Sequence, residues 1–217
     1  MNQSERLGPA DWLQAAQDEL MLRGVPAVKV DRLARRLRVT RGSFYWHFKS
    51  RSDLLQRLLQ SWIATNTAPF QQVLKSNKNG RAKFQAVIDL WVDEDQYNPQ
   101  FDVAMREWAR VSRKVARIVR EADDARIEVL RQIFNEIGYV GASALVRARV
   151  AYFHQVGYYT LGIVESHETR RRLRPHYTRA LLGEIPLSAS SQSESQVDPL
   201  PDAALVEERR GPYEPNA

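Results

Sequence analysis

At 217 residues with 43% hydrophobic side chains, the chain is long enough for one large domain or two small ones, with no need of a covalent staple. It contains no cysteine, which excludes a disulfide framework and a thiolate metal site. Its net charge of +6 is unevenly spread: residues 1–62 hold eleven Lys/Arg against six Asp/Glu, residues 63–183 nineteen against thirteen, and residues 184–217 two against seven. A basic front end is compatible with an anionic polymer as partner. The N-terminal MNQSERLGPADW has neither the basic nor the apolar region of a secretion signal, and no apolar run approaches the ~18 residues of a membrane span. A cytoplasmic location and no membrane partner are the expectation.

Nearly everything up to Leu182 reads as helix, so the expected class is all-α. Pro9 suits a first helical position, and Trp12, Leu13, Ala16, Leu20 and Met21 form a stripe at helical spacing that ends at Gly24. A short second helix, about Asp31 to Leu37, buries Leu33, Ala34 and Leu37 and shows Arg32, Arg35 and Arg36 to solvent. Thr40 is placed to cap a third short helix. Ser50 and Asp53 give a capping-box-like start to a fourth, which carries Leu54, Leu55, Leu58, Leu59 and Trp62 on one face. A break around NTAPF and KSNKNG marks the junction with a second helical region.

In that region Phe84, Val87, Ile88 and Trp91 mark one helix. Asn98-Pro99 starts another, through Phe101, Ala104, Met105 and Trp108. A long third helix, from Val115 to Ile137, is closed by Gly138. From Ala142 to Val164 the pattern is apolar nearly all round, as expected of a helix covered on more than one side. A shorter helix from about Pro175 to Leu182 ends the folded part. The expected organisation is therefore an N-terminal unit at 1–62, a larger helical unit at 63–185 and a flexible, acidic Ser/Pro-rich tail at 186–217.

The second and third helices, joined by RVT, have the dimensions of a helix-turn-helix. In that unit the second helix enters the major groove of DNA with its N-terminal residues at base edges, while its other face packs inward. The segment VTRGSFYWHFKSRSDLL sorts in this way. Phe44 and Phe48, four apart, face inward onto Leu33, Leu37 and Val39. Arg41, Gly42 and Ser43 stand at the exposed helix start: the Arg offers two donors to guanine, the Gly lets the backbone approach, and the Ser offers a hydroxyl. Tyr45, His47, Lys49 and Arg51 fall near the sugar-phosphate strand.

The same residues resemble the DNA-binding domain of the TetR/AcrR family of bacterial transcriptional regulators. That family's pattern is an I/L-A pair, here Leu33-Ala34, followed by V-[ST]-x-G-[ST]-[LF]-Y-x-H-F. Val39, Thr40, Gly42, Ser43, Phe44, Tyr45, His47 and Phe48 fill every place of it. The match covers about residues 10–62. It implies base readout by Arg41, Gly42 and Ser43, and phosphate contacts by Thr40, Tyr45, His47 and Arg51 with Lys49 close by. It also implies a homodimer closed by the last two long helices and a small-molecule pocket in the C-terminal region. Two positions depart from the family: Arg38 stands where the turn usually has Gly, and Lys29 stands where the second helix usually starts with Thr, leaving Asp31 as a substitute cap. The candidate DNA-binding set is then Lys29, Arg38, Thr40, Arg41, Gly42, Ser43, Tyr45, Trp46, His47, Lys49 and Arg51.

For an effector pocket the aromatic and polar-tipped candidates are Trp91, Trp108, Phe134, Tyr152, Phe153, His154 and Tyr158. YFHQVGYYT is the most suggestive stretch, because it brings hydrogen-bonding groups into an apolar helix. His154, His167 and His176 form no i,i+4 pair, so no metal site is expected. No phosphate-binding glycine loop, nucleophile elbow or carboxylate pair is present, so no catalytic residue and no cofactor are assigned. The expected function is a ligand-responsive repressor acting as a homodimer on a near-palindromic operator in double-stranded DNA. The alternative is a helical small-molecule sensor without effective DNA binding.

Overall fold

The computed structural model describes residues 7–183, in which every regular element is helical. The expected tail at 186–217 lies outside the described residues. Four helices open the chain: α1 (Pro9–Arg23), α2 (Val30–Leu37), α3 (Arg41–Tyr45) and α4 (Arg51–Asn66), with a single 3-10 turn at Val25–Ala27 between the first two. Six follow: α5 (Ala68–Lys75), α6 (Gly80–Asp93), α7 (Pro99–Arg110), α8 (Arg113–Ile137), α9 (Gly141–Thr160) and α10 (His167–Leu182). The chain is therefore all-α over this span, with an N-terminal helix-turn-helix unit and a larger helical body. No helix among the described residues is long and apolar enough to cross a membrane.

Local chemistry sets most of the boundaries. The side chains of Asn98, Ser112 and Ser166 each accept the backbone N–H three residues on, satisfying a donor that the first helical turn leaves open. α8 stops at Gly138, whose φ of 116° is costly for any residue with a Cβ. Thr67 separates α4 from α5, so NTAPF is a joint between two helices rather than an irregular junction. Pro69 reads as a breaker in sequence, yet it sits in the first turn of α5, where its missing N–H costs nothing.

The final helix is twice as long as its sequence suggests. Pro175 lies inside α10, not at its start. The preceding HETRRRLR has no apolar stripe, so periodicity gives no signal there. Its stability comes from pairing: Arg170, Arg171 and Arg174 meet Glu94, Asp93 and Asp89, at or just beyond the end of α6. α9 ends at Thr160, short of the expected Val164, where the chain turns through Gly162 at φ 66°.

Position 62/63, expected as a boundary between units, falls inside α4. One buried cluster runs from Trp12, Leu33, Phe44 and Phe48 through Leu58 and Trp62 to Phe101, Met105, Trp108 and Val119. The N-terminal helices and α7–α8 thus share a core. Asn66 adds a polar clasp, donating to the Asn98 carbonyl at 2.7 Å and accepting from its N–H at 3.4 Å.

Candidate functional site

The segment from Lys29 to Arg51 is built around two rings. Phe44 and Phe48 are 0% and 1% exposed, stacked at 5.2 Å with 19° between their planes, and Phe44 also meets Trp12 edge-on at 5.2 Å. A five-residue helix is far too short to be stable alone, so α3 exists because this face is buried. What remains outside is its leading edge. Arg41 and Gly42 are exposed and Ser43 is half-buried. A Cβ added at Gly42 would meet nothing closer than the Thr40 hydroxyl at 3.6 Å. Thr40 is the N-cap residue, but its side chain accepts no backbone bond, so its hydroxyl is not used within the helix.

The turn before α3 accepts a side chain at a conformational cost. Arg38 adopts the left-handed conformation at φ 58°, ψ 39°, where glycine would be unstrained, and the Val39 N–H returns to the Ala34 carbonyl at 2.9 Å. Lys29 starts α2 without any side-chain cap. Asp31 does not replace the cap; its carboxylate reaches across to Arg41 Nε at 2.9 Å.

Nine of the eleven candidate residues are exposed, and Ser43 and His47 are half-buried, so none is lost to the core. Tyr45 and Trp46 show 54% and 86% of their surface, unusually open for rings of that size. Arg51 is the exception in kind. Its Nε donates to the Val28 carbonyl at 2.5 Å and its Nη2 to the Val25 carbonyl at 2.8 Å. It braces the 3-10 turn instead of presenting those donors outward.

The basic face of α2 also differs from expectation. Glu19 of α1 is buried and accepts from Arg23, Arg32 and Arg36, and Asp18 pairs with Arg36. Burial would raise the Glu19 carboxyl, but the Arg23 and Arg32 guanidiniums outweigh it and hold it below its ordinary range. Arg32 and Arg36 therefore fasten α2 to α1, a role invisible in sequence because one buried acid commands several basic partners.

The seven residues proposed for a pocket are scattered. Trp91, His154 and Tyr158 line one void between α6, α9 and α10. Trp108 belongs to the core shared with the N-terminal helices, and Phe134 packs on Phe84 at 5.1 Å. Tyr152 is buried in a charge network with Asp123 and Arg126, while Phe153 is 52% exposed on the outside of α9. Consecutive residues of α9 point in directions about 100° apart, so a run such as YFHQ cannot face one cavity. Gln155 of the YFHQVGYYT stretch lines the void as well; Arg170 and Arg174, which sequence reasoning missed, also line it and looked like ordinary surface charge.

Residues 13–58 match the family model described as bacterial regulatory proteins, tetR family. Over 77 residues the chain is 41% identical to an uncharacterized HTH-type transcriptional regulator, TtgW, of a Pseudomonas putida strain, covering 36% of this chain and 58% of that one. A match of the same length to the HTH-type transcriptional regulator SrpR of Pseudomonas putida is 39% identical and covers 36% of each chain. The curated relatives are thus matched over only about a third to three-fifths of their own length. Reduced NemR of E. coli superposes with a TM-score of 0.60 at 17% identity, over 81% of this chain and 95% of that one. The ketosteroid transcriptional regulator KstR2 of Mycobacterium tuberculosis gives 0.60 at 17%, over 81% and 93%. At such identities these likenesses speak for the fold alone.

Proposed function

We propose that this chain, which belongs to the TetR/AcrR family of bacterial transcriptional regulators, is a ligand-responsive repressor that binds a near-palindromic operator as a homodimer. The observation that carries the reading is the division of the α3 segment: Phe44 and, just past the helix, Phe48 are buried on one side, while on the other stand exposed Arg41 and Gly42 with half-buried Ser43, Arg41 being paired with the equally exposed Asp31. Arg41 reads a base, Ser43 and Thr40 hydrogen-bond to base or phosphate, and Lys29, Arg38, Tyr45, Trp46, His47 and Lys49 flank them. Arg51 acts indirectly, by holding the turn before α2.

Dimerisation through the C-terminal helices is supported by an uncovered stripe on α9. Val146, Val150 and Phe153 are 55%, 51% and 52% exposed at helical spacing. Two α3 helices related by a two-fold axis would meet successive major grooves roughly 34 Å apart. An effector shifts such a dimer only through unequal affinity for its two states.

The test is a gel shift of the purified protein on the intergenic DNA beside its own gene, at two salt concentrations. A retarded complex that weakens steeply with salt is expected; no complex at low salt would refute the reading. In the same assay Arg41→Ala should cost roughly 1–3 kcal/mol and relax preference at a single base position. Equal loss on every sequence would make Arg41 a phosphate anchor. Arg38→Gly should separate stability from function. Relief of the left-handed Arg should stabilise the fold by about 0.5–1 kcal/mol by denaturant midpoint, while operator affinity falls through loss of a cation.

A further inference from the structure

Asp31 is the only acidic residue between Lys29 and Ser52, a stretch that holds eight Lys/Arg. A carboxylate on a surface that meets phosphates repels its partner, so its presence there calls for a compensating use. Local structure supplies little. Asp31 lies in the first turn of α2, where a negative charge suits the helix dipole, but that helix start has no side-chain cap. The bond Asp31 makes within the helix is through its backbone carbonyl, which accepts from Arg35 Nε at 3.3 Å. Its carboxylate, 58% exposed, instead reaches Arg41 Nε at 2.9 Å and ties the start of α2 to the start of α3.

Arg41 gains more from this tie than the fold does. Its side chain is 62% exposed, and Asp31 is its one partner among the described residues. A long side chain at an open helix start samples many rotamers, and most of that freedom is given up when it docks on a base. The contact with Asp31 is closest at Nε, on the side of the guanidinium. The Nη1–Nη2 edge has no hydrogen bond among the described residues, and this is the edge whose two donors match the O6 and N7 acceptors of guanine. An exposed ion pair is weak in water, but beside DNA it loses solvent and strengthens.

We propose that Asp31 is a positioning residue for base readout: its carboxylate holds the Arg41 side chain at the α2–α3 corner, so that the guanidinium meets guanine through its Nη edge at a reduced cost in conformational freedom. The inference rests on the regulator reading above, in which Arg41 touches a base; Asp31 itself touches nothing on the DNA. Such a role has a signature that neither charge nor fold alone produces. Deleting a carboxylate that acts only as a charge strengthens binding to every duplex alike. Deleting a contact that only supports the fold weakens binding to every duplex alike. Deleting a positioning contact lowers the preference for the operator, while loss of the repelling charge leaves binding to unrelated DNA equal or stronger.

The test is a gel-shift titration of the full chain on two duplexes of equal length, the intergenic DNA beside its own gene and an unrelated sequence. Four proteins are compared: unmodified, Asp31→Ala, Arg41→Ala and the double variant. Both duplexes are read with the same protein, so a change in its folded fraction cancels from the ratio of affinities. Asp31→Ala should lower that ratio roughly two- to fivefold, the range of an exposed ion pair. On single-base variants of the bound duplex it should relax preference at the same position as Arg41→Ala. Its affinity for unrelated DNA should equal or exceed that of the unmodified protein. In the Arg41→Ala background the same substitution should leave the ratio unchanged. An unchanged ratio in Asp31→Ala alone, with both affinities constant, rising or falling together, would overturn the proposal. So would a fall in the ratio that persists without Arg41, since Asp31 would then read a base itself. Failure of the unmodified protein to prefer the intergenic DNA is a separate result: it ends the regulator reading, and the role of Asp31 with it.

Discussion

Asp102→Ala is expected to lower the unfolding free energy by about 3–5 kcal/mol, the cost of leaving a buried charge unpaired. Asp102 accepts from Arg126 Nη1 at 2.9 Å and Trp62 Nε1 at 3.1 Å through one oxygen, and from Arg106 Nε at 3.0 Å through the other. Arg126 is 0% exposed; its other bonds go to the Thr67 and Tyr152 hydroxyls, and its guanidinium lies 5.0 Å from the Trp62 ring centre. Arg106 grips Asp123 with two parallel bonds of 3.0 and 2.7 Å. Burial pushes the Tyr152 hydroxyl up, so it stays protonated and donates to Asp123 at 2.6 Å. One connected network thus joins α4, the α4–α5 joint, α7, α8 and α9. Removing the Asp102 carboxylate strands Arg126 in a place water does not reach.

Urea unfolding measures the loss, with Glu121→Ala as the control. Glu121 pairs with Arg117 at 3.7 Å, and both side chains are about two-thirds exposed, so its removal should change little. Equal effects of the two substitutions would show that the Asp102 network adds nothing to the fold. The pH dependence has a definite sign. Burial would raise the Asp102 carboxyl, but Arg126 and Arg106 outweigh burial and hold it below the ordinary carboxylate range. Its contribution is therefore complete above about pH 4, the unfolded value, and lost as pH falls through the lower folded value. Asp102→Ala should flatten the acid limb of the stability curve.

None of this network is legible in sequence. Asp102, Arg106, Asp123 and Arg126 stand at spacings that read as a solvated helix face, because periodicity registers apolar residues and treats charges as outside. The same blindness hid the first half of α10, where arginines dock on α6, and the use of Arg32, Arg36 and Arg51 as internal ties. Other features were legible because local chemistry carries them. Asn98 ahead of Pro99, Gly138 after a long stripe, and Ser50 before Asp53 each act within three or four residues of chain. The α3 segment was the most readable of all, since buried Phe44 and Phe48 alternate with residues whose only use is outward. Which side chains meet in the α6–α9–α10 void was not readable, because it depends on helices far apart in the chain crossing at one place.

Phe44→Ala should cost about 3–5 kcal/mol, as for other fully buried phenylalanines. The ring is closed in by Trp12, Tyr45 and Phe48, each with its centre 5.2 Å away, so little can collapse into the space. The functional loss should exceed what the midpoint shift alone implies. α3 has five residues and no side-chain cap, so its helicity is conditional on this anchor. Without it Arg41, Gly42 and Ser43 lose their fixed geometry even while α4–α10 remain folded. Phe44→Leu supplies the contrast: most of the apolar volume returns, and with it the greater part of both stability and operator binding. Denaturant melts and gel shifts on the three proteins decide the matter. An unchanged midpoint in Phe44→Ala would remove the anchor from the mechanism. Retained operator binding by a destabilised Phe44→Ala would mean that the reading edge is held by contacts other than the two phenylalanines.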